Sequence, residues 1–331
     1  MFDLSGMLIV VVALALLFDF TNGWHDSANA IATVVSTRVL SPLGAVALAG
    51  LLNVAGAFLS TAVAKTIGAG IVEPAAITQA TVASALGGAI VWNLFTLMLG
   101  LPTSSSHALI GGLVGAALTH GGWAVVKLSG LRSVLEALVI SPLFGLLIGL
   151  VIMVLITRLF FRATRHFATK LFGRLQLLSA SFMAFSHGAN DAQKAMGIIT
   201  LALLSAGLIP SAEVPTWVIV ACAVAMGLGT GIGGWRIVRT LGMRILKIEP
   251  VHGFAAETGA ATVLLATASL GLPVSTTHTI TSSVMGVGIV KRLSAVRWGV
   301  TARILYAWIF TLPGAGLLAA LIYAGLSRLG S

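Results

Sequence analysis

The sequence predicts an all-α polytopic membrane protein: two inverted repeats with broken helices, and two re-entrant helical hairpins meeting at the membrane midplane. Three observations predict it. First, of 331 residues 58% are hydrophobic and 8% charged, with a mean hydropathy of +1.05; a soluble domain carries about a quarter charged residues. Second, motifs recur in one order at nearly one offset. NGWHDSANA (22–30) echoes HGANDAQKA (187–195), GLPTSSSH (100–107) echoes GLPVSTTH (271–278), and VEP (72–74) weakly echoes IEP (248–250). Third, the apolar segments around these motifs are short and come in pairs.

The echoes place a first repeat at 1–165 and a second at 166–331, joined through the basic stretch 158–174. A spanning helix needs about 20 apolar residues. Segments 4–20 with 26–37, and 176–187 with 191–209, therefore read as two broken helices. Segments 77–100 with 104–119, and 252–271 with 275–290, read as two hairpins.

Charge sets the topology. The net charge is +10, and the acid-free basic stretches 158–174, 236–247 and 291–297 place those loops in the cytoplasm. Segments 252–271 and 275–290 start and end at cytoplasmic loops, which favours a hairpin with LPVSTTH at its tip. Three crossings plus a hairpin per half make the repeats inverted, so the tips approach from opposite faces. Asp3, without a nearby Lys or Arg, puts the N-terminus on the far side, and the first helix lacks the basic start of a cleavable signal peptide. Lys65, Lys127 and Arg132 fit this plan poorly. The basic loops are explained by topology, so no nucleic-acid partner is expected. The single cysteine, Cys222, excludes an internal disulfide and reads as a small buried residue.

At each tip Leu-Pro ends one helix and a hydroxyl triplet opens the next: Ser104, Ser105, Ser106 and Ser275, Thr276, Thr277. A helix N-terminus offers free N–H groups and partial positive charge, and hydroxyls add donors. Two such termini can surround an oxyanion, whereas plain capping needs one hydroxyl. His107 and His278 follow the triplets as anion contacts, proton carriers or backbone-bonded first-turn residues. His187 is a further proton or anion contact, as is His25.

Asp26 and Asp191 are ionisable groups in apolar surroundings, which by default mark an ion path. Gly23 and Gly188 are expected to let the helices open and expose carbonyls. Asn22, Asn29, Asn190 and Gln193 supply amides; Asn22 and Gln193 are assigned to the anion, Asn29 and Asn190 to the cation. Carboxylate, amide and carbonyl oxygens suit Na⁺, and a carboxylate serves H⁺ equally. Lys194 lies on the same helical face as Asp191 and has three readings: pairing with it, anion contact or snorkelling. Glu257 is a third apolar-run acid, whose counterpart by offset is Leu86, and reads as a coupling carboxylate. Glu73 and Glu249, before prolines, read as interfacial; Trp92 with Asn93, Trp235 and Trp298 read as interfacial or packing residues.

NGWHDSANAIATVVSTR, HGANDAQKAMG and the two GLP tips resemble the inorganic phosphate transporter (PiT, or PHO4) family over nearly the whole chain. The first copy is nearest the bacterial low-affinity members, with Trp24 and His25 where the commoner form has Ala and Asn. The resemblance implies an inverted-repeat carrier of inorganic phosphate with Na⁺ or H⁺, often a homodimer in the cell membrane, with sites at Asp26, Asn29, Asn190, Asp191, Ser104–Ser106 and Ser275–Thr277. Some members carry metal–phosphate complexes and a few sulfate. The expected function is cation-coupled phosphate import by alternating access, with no cofactor beyond the co-transported ion. Its rivals are a sulfate permease, separated by competition of labelled phosphate uptake, and an anion channel, which would not concentrate its ion. A channel for anions prefers basic rings to paired carboxylates. No nucleotide-binding G-x-x-x-x-G-K-[ST] occurs, and no nucleophile–base pair suggests an enzyme. The choice between Na⁺ and H⁺ stays open, with His25 tilting slightly toward H⁺.

Overall fold

The computed structural model describes residues 4–329, so Asp3 lies outside them. Among the described residues there are twelve α-helices: α1 (Leu4–Ser36), α2 (Pro42–Ala57), α3 (Ala62–Gly70), α4 (Gln79–Leu99), α5 (Ser105–Gly121), α6 (Leu128–Leu159), α7 (Arg165–Ser205), α8 (Thr216–Ile232), α9 (Trp235–Arg239), α10 (Pro250–Ser269), α11 (Thr276–Lys291) and α12 (Trp298–Leu329). By length and apolarity α1, α4, α5, α6 and α12 can each cross a membrane. Two bent pairs add two spans if each counts as one: α2 with α3, at 68°, and α8 with Trp235–Arg244, at 59°. The chain is a multi-pass membrane protein.

The structure departs from the sequence reading at the two motif helices. Neither is broken: α1 runs 33 residues through Asp26, and α7 runs 41 through Asp191. Their polar residues do not interrupt the backbone ladder because they fall on one face. On α1 these are Asp19, Asn22, Asp26, Asn29 and Thr33, spaced three or four apart, as one helical face requires. Gly23 and Gly188 admit a neighbour instead of opening the helix. A Cβ at Gly23 would meet the Met226 carbonyl oxygen of α8 at 2.3 Å, and one at Gly188 the Asn53 carbonyl oxygen of α2 at 2.2 Å. The bends lie in those partners, at residues 58–61 and at Gly233–Gly234.

The helix contacts keep their pattern when the first six helices are exchanged with the last six. α1 packs on α8 and α7 on α2; hairpin α4–α5 packs on α12 and hairpin α10–α11 on α6. Prolines inside α6 and α12, Pro142 and Pro313, stand at the same offset as the hairpin tips. α1 and α7 pass each other antiparallel: Thr33, late in α1, shares Glu257 with Gln176, early in α7, while Asn29 and Asp26 lie by residues 191–194 through the tips. Two apolar cores flank this crossing. One holds Val11–Phe18 of α1 with Ala192–Leu203 of α7; the other holds Ala28–Val34 with Phe172–Ala184. Between them lies a buried polar centre. Outward, α6 shows Leu143, Leu147, Val151, Leu155 and Leu159, each at least 50% exposed, an apolar stripe suited to lipid.

Candidate functional site

The hairpin tips are built alike. α4 closes on Gly100, at φ +67° in the left-handed region, and Gly271, at φ +69°, follows α10. Glycine takes that conformation without steric cost, and the Pro two residues on prevents the helix from continuing. Ser104 and Ser275 then act as N-caps: their Oγ atoms accept from the N–H of His107 and His278, each at 3.1 Å. Capping takes one hydroxyl of each triplet. Ser106 donates to the Val274 carbonyl at 2.8 Å and ties tip to tip. Ser105, Thr276 and Thr277 remain, and they face the aspartates.

Ser105 Oγ donates to Asp26 Oδ2 at 2.8 Å, and Thr277 Oγ1 to Asp26 Oδ1 at 3.3 Å. Thr276 Oγ1 donates to Asp191 Oδ2 at 3.2 Å. Each aspartate therefore meets the hairpin tip from the other half's sequence or its own through a hydroxyl. Asn29 Nδ2 donates to Thr277 Oγ1 at 2.9 Å and Thr276 Oγ1 at 3.3 Å. Lys194 Nζ lies 2.8 Å from Asp191 Oδ2 and donates to Ser105 Oγ at 2.9 Å, which decides two of its three readings: it pairs with Asp191 and does not snorkel. His25 Nδ1 sits 2.6 Å from Asp26 Oδ1, and its Nε2 lies 3.2 Å from Thr96 Oγ1. His187 bridges to Asn53 Oδ1 through Nδ1 at 3.1 Å, with Nε2 3.5 Å from Asp191 Oδ2. One ligand atom each of Asp26, His187 and Asp191 fits within 4.8 Å of the others.

All these side chains are buried, and several polar atoms in the centre have no partner: the acceptors Asn22 Oδ1, Asn29 Oδ1, Asn190 Oδ1 and Asp191 Oδ1, and the donor Nδ2 groups of Asn22 and Asn190. Buried polar groups are normally paired. Unmatched acceptors beside donor hydroxyls and an ammonium fit a centre made to hold an anion and cations together.

Gln193 lies elsewhere. Its Oε1 accepts from the N–H groups of Val63 at 2.8 Å and Ala64 at 3.2 Å, and its Nε2 donates to the Ala189 carbonyl, so it caps α3 rather than an anion. His107 and His278 pack ring to ring, 4.6 Å apart, with Trp308 stacked on His278 at 3.7 Å. Both line a pocket of about 460 Å³ between α6, α11 and α12. Glu257 forms a satellite site: Oε1 accepts from Thr33 at 2.5 Å and Gln176 at 3.1 Å, and Oε2 from Ser179. By the motif offsets its surroundings correspond to Val11, Leu14, Leu86 and Ile198, all apolar, so this nest exists in one half only. Thr33 lies seven residues past Asp26, about 10 Å along α1.

Sequence reading missed Asp19, Asn53, Thr33, Gln176 and Ser179. Asp19 is buried with both carboxylate oxygens unpartnered. The signal was its place seven residues before Asp26 on the same face. The border residues pair as surface groups do: Glu73 with Lys127 at 3.1 Å, Glu249 with Arg165 at 3.4 Å, Arg132 with Glu136 at 2.7 Å. Cys222 is fully buried in an apolar cluster.

Similarity to known proteins meets this geometry at one point. A protein of Rhizobium meliloti (strain 1021), described as a probable low-affinity inorganic phosphate transporter, is 49% identical over 319 residues, 96% of each chain. One of Bacillus subtilis (strain 168) with the same description is 46% identical, covering 95% of this chain and 96% of its own. A solved structure titled the sodium-dependent phosphate transporter superposes with a TM-score of 0.89 at 27% identity, covering 97% of this chain and 99% of that one. The PHO4 profile, that of the phosphate transporter family, matches residues 22–319, and the chain belongs to that family.

Proposed function

We propose that this protein imports inorganic phosphate together with cations, by alternating access through two inverted repeats, 1–165 and 166–331. One observation carries the reading: the N-termini of α5 and α11 converge with Lys194 on two buried aspartates, and the same hydroxyls serve both charges. Phosphate draws Ser105, Thr276, Thr277 and Lys194 toward its oxygens, which frees the lone pairs of Asp26 and Asp191 for a cation. A cation on the carboxylates releases the hydroxyls to donate to phosphate. Each ligand thereby raises the affinity of the other, by the same factor.

Two carboxylates and one ammonium leave the centre net negative before phosphate enters. A dianion is stable there only with more than one added positive charge, which favours a coupled carrier over a channel. Glu257 supplies a further coupling position. Asp191 Oδ1, a buried acceptor without a partner, suits the P–O–H of monohydrogen phosphate and rejects sulfate, which has no proton to donate. The antiparallel crossing of α1 and α7 and the exchange of contacts between the halves support inversion. Lipid covers the apolar faces of α6 and α12, and a second copy as homodimer follows the family.

The test is labelled phosphate uptake into proteoliposomes under an imposed Na⁺ gradient or an imposed pH gradient. Accumulation above the external concentration is expected under one of them, with Asp26→Asn and Asp191→Asn abolishing it and sulfate competing poorly. Equilibration without accumulation under both gradients overturns the reading in favour of a channel.

A further inference from the structure

We propose that Asp19 is a proton-binding carboxyl that moves one coupling proton per transport cycle, beside and distinct from the two motif aspartates. The inference rests on the transport reading above. Asp19 is fully buried in α1, and neither of its oxygens has a hydrogen-bond partner. An ionised carboxylate left bare in a protein interior costs several kcal/mol, and within a membrane such a residue marks an ion path. Asp19 is therefore either protonated or matched by a bound cation.

Its surroundings favour the proton. The one polar side chain beside it on its own helix is Asn22, three residues on, close by but outside hydrogen-bond geometry. A hard cation needs about six oxygen ligands; the carboxyl of Asp19 and the amide of Asn22 bring three. They do match a carboxylic acid, whose O–H donates to the amide oxygen while its carbonyl accepts from the amide N–H. The charged and titratable groups facing Asp19 are Asp191 and Lys194 from α7 and Cys222 from α8. α2 and α4 carry no titratable side chain at all.

Position gives the carboxyl its use. Asp19 and Asp26 are seven residues apart on one face, about 10 Å along the helix, with Asn22 between them. Thr33, on Glu257, lies an equal distance beyond Asp26. The stripe of α1 thus runs from Asp19 through the anion centre to Glu257. Lys194 stands where it senses Asp19 and binds Asp191 and Ser105. A proton leaving Asp19 adds a negative charge that holds the ammonium by Asp191; a proton arriving releases it toward phosphate. The counterpart of Asp19 by the motif offset is Ala184, so this step belongs to one half only.

The experiment counts protons taken up with each phosphate, using a pH dye inside proteoliposomes, for wild type, Asp19→Asn and Asp19→Glu. We expect the proton-to-phosphate ratio to fall by about one in Asp19→Asn, with each lost proton removing about a tenfold gain in accumulation per unit of pH gradient. Asp19→Glu should keep the wild-type ratio. An unchanged ratio in Asp19→Asn overturns the inference. If Asp19→Asn does not fold, wild type decides: accumulation driven by Na⁺ and indifferent to the pH gradient also overturns it, with phosphate transport left intact. Failure of wild type to accumulate phosphate at all would instead strike the transport reading.

Discussion

Replacing Lys194 with methionine keeps the length of an apolar stem and removes only the charge. The structure sets the consequence. Lys194 is buried, with Nζ 2.8 Å from Asp191 Oδ2 and 2.9 Å from Ser105 Oγ. Its loss leaves two carboxylates, Asp26 and Asp191, whose oxygens approach within 4.8 Å, facing each other without a cation. Removing one partner of a buried pair costs about 3–5 kcal/mol, and we expect Lys194→Met to lose that much. Lys194→Met with Asp191→Asn should lose less than Lys194→Met alone, because one buried carboxylate then remains in place of two. The assay is equilibrium unfolding in mixed micelles for the four members of the cycle, without Na⁺ and then with it. Adding Na⁺ should restore part of the stability of Lys194→Met alone, by binding where the ammonium stood. A Lys194→Met protein as stable as wild type, or a double variant as unstable as the sum of the singles, refutes the reasoning.

Two further outcomes follow from packing. Gly188→Ala should sharply reduce folded yield, since its Cβ would lie 2.2 Å from the Asn53 carbonyl oxygen, whereas Gly173→Ala, with nothing within 4 Å, should be neutral in the same fluorescence size-exclusion assay. Gln193→Leu should cost about 1–3 kcal/mol in unfolding by stranding the first N–H groups of α3, while isothermal titration should find phosphate affinity unchanged.

The chemistry of the centre was legible because it is written in residue types that an apolar chain carries at a cost. Two acids, two hydroxyl triplets and a repeated order announce themselves. The shape of the motif helices was not legible by the same reasoning. Polar residues at 19, 22, 26, 29 and 33 look like a gap in a hydropathy trace, but their three-and-four spacing is that of one face on an unbroken helix. Asp19 was lost for a related reason: set between Phe18 and Phe20, it reads as the end of an apolar run. The true bends, at residues 58–61 and Gly233–Gly234, lie in the partners of α1 and α7, outside the motifs, and one of them turns at Gly233 with φ +78°. Gln193 illustrates the reverse error. Its place in a motif suggested the anion, whereas a neighbouring helix end needed its oxygen more. The surroundings of Glu257 draw on α1, α7 and α10 together, so no local pattern reveals them.

The most direct measurement of the central claim is equilibrium binding of labelled phosphate to purified protein carrying Ser105→Ala and Thr276→Val together. Each hydroxyl lost from a charged acceptor costs about 1.5–3 kcal/mol, so affinity should fall roughly a hundredfold or more. Affinity within about threefold of wild type in the folded double variant would place phosphate somewhere other than between the two hairpin tips.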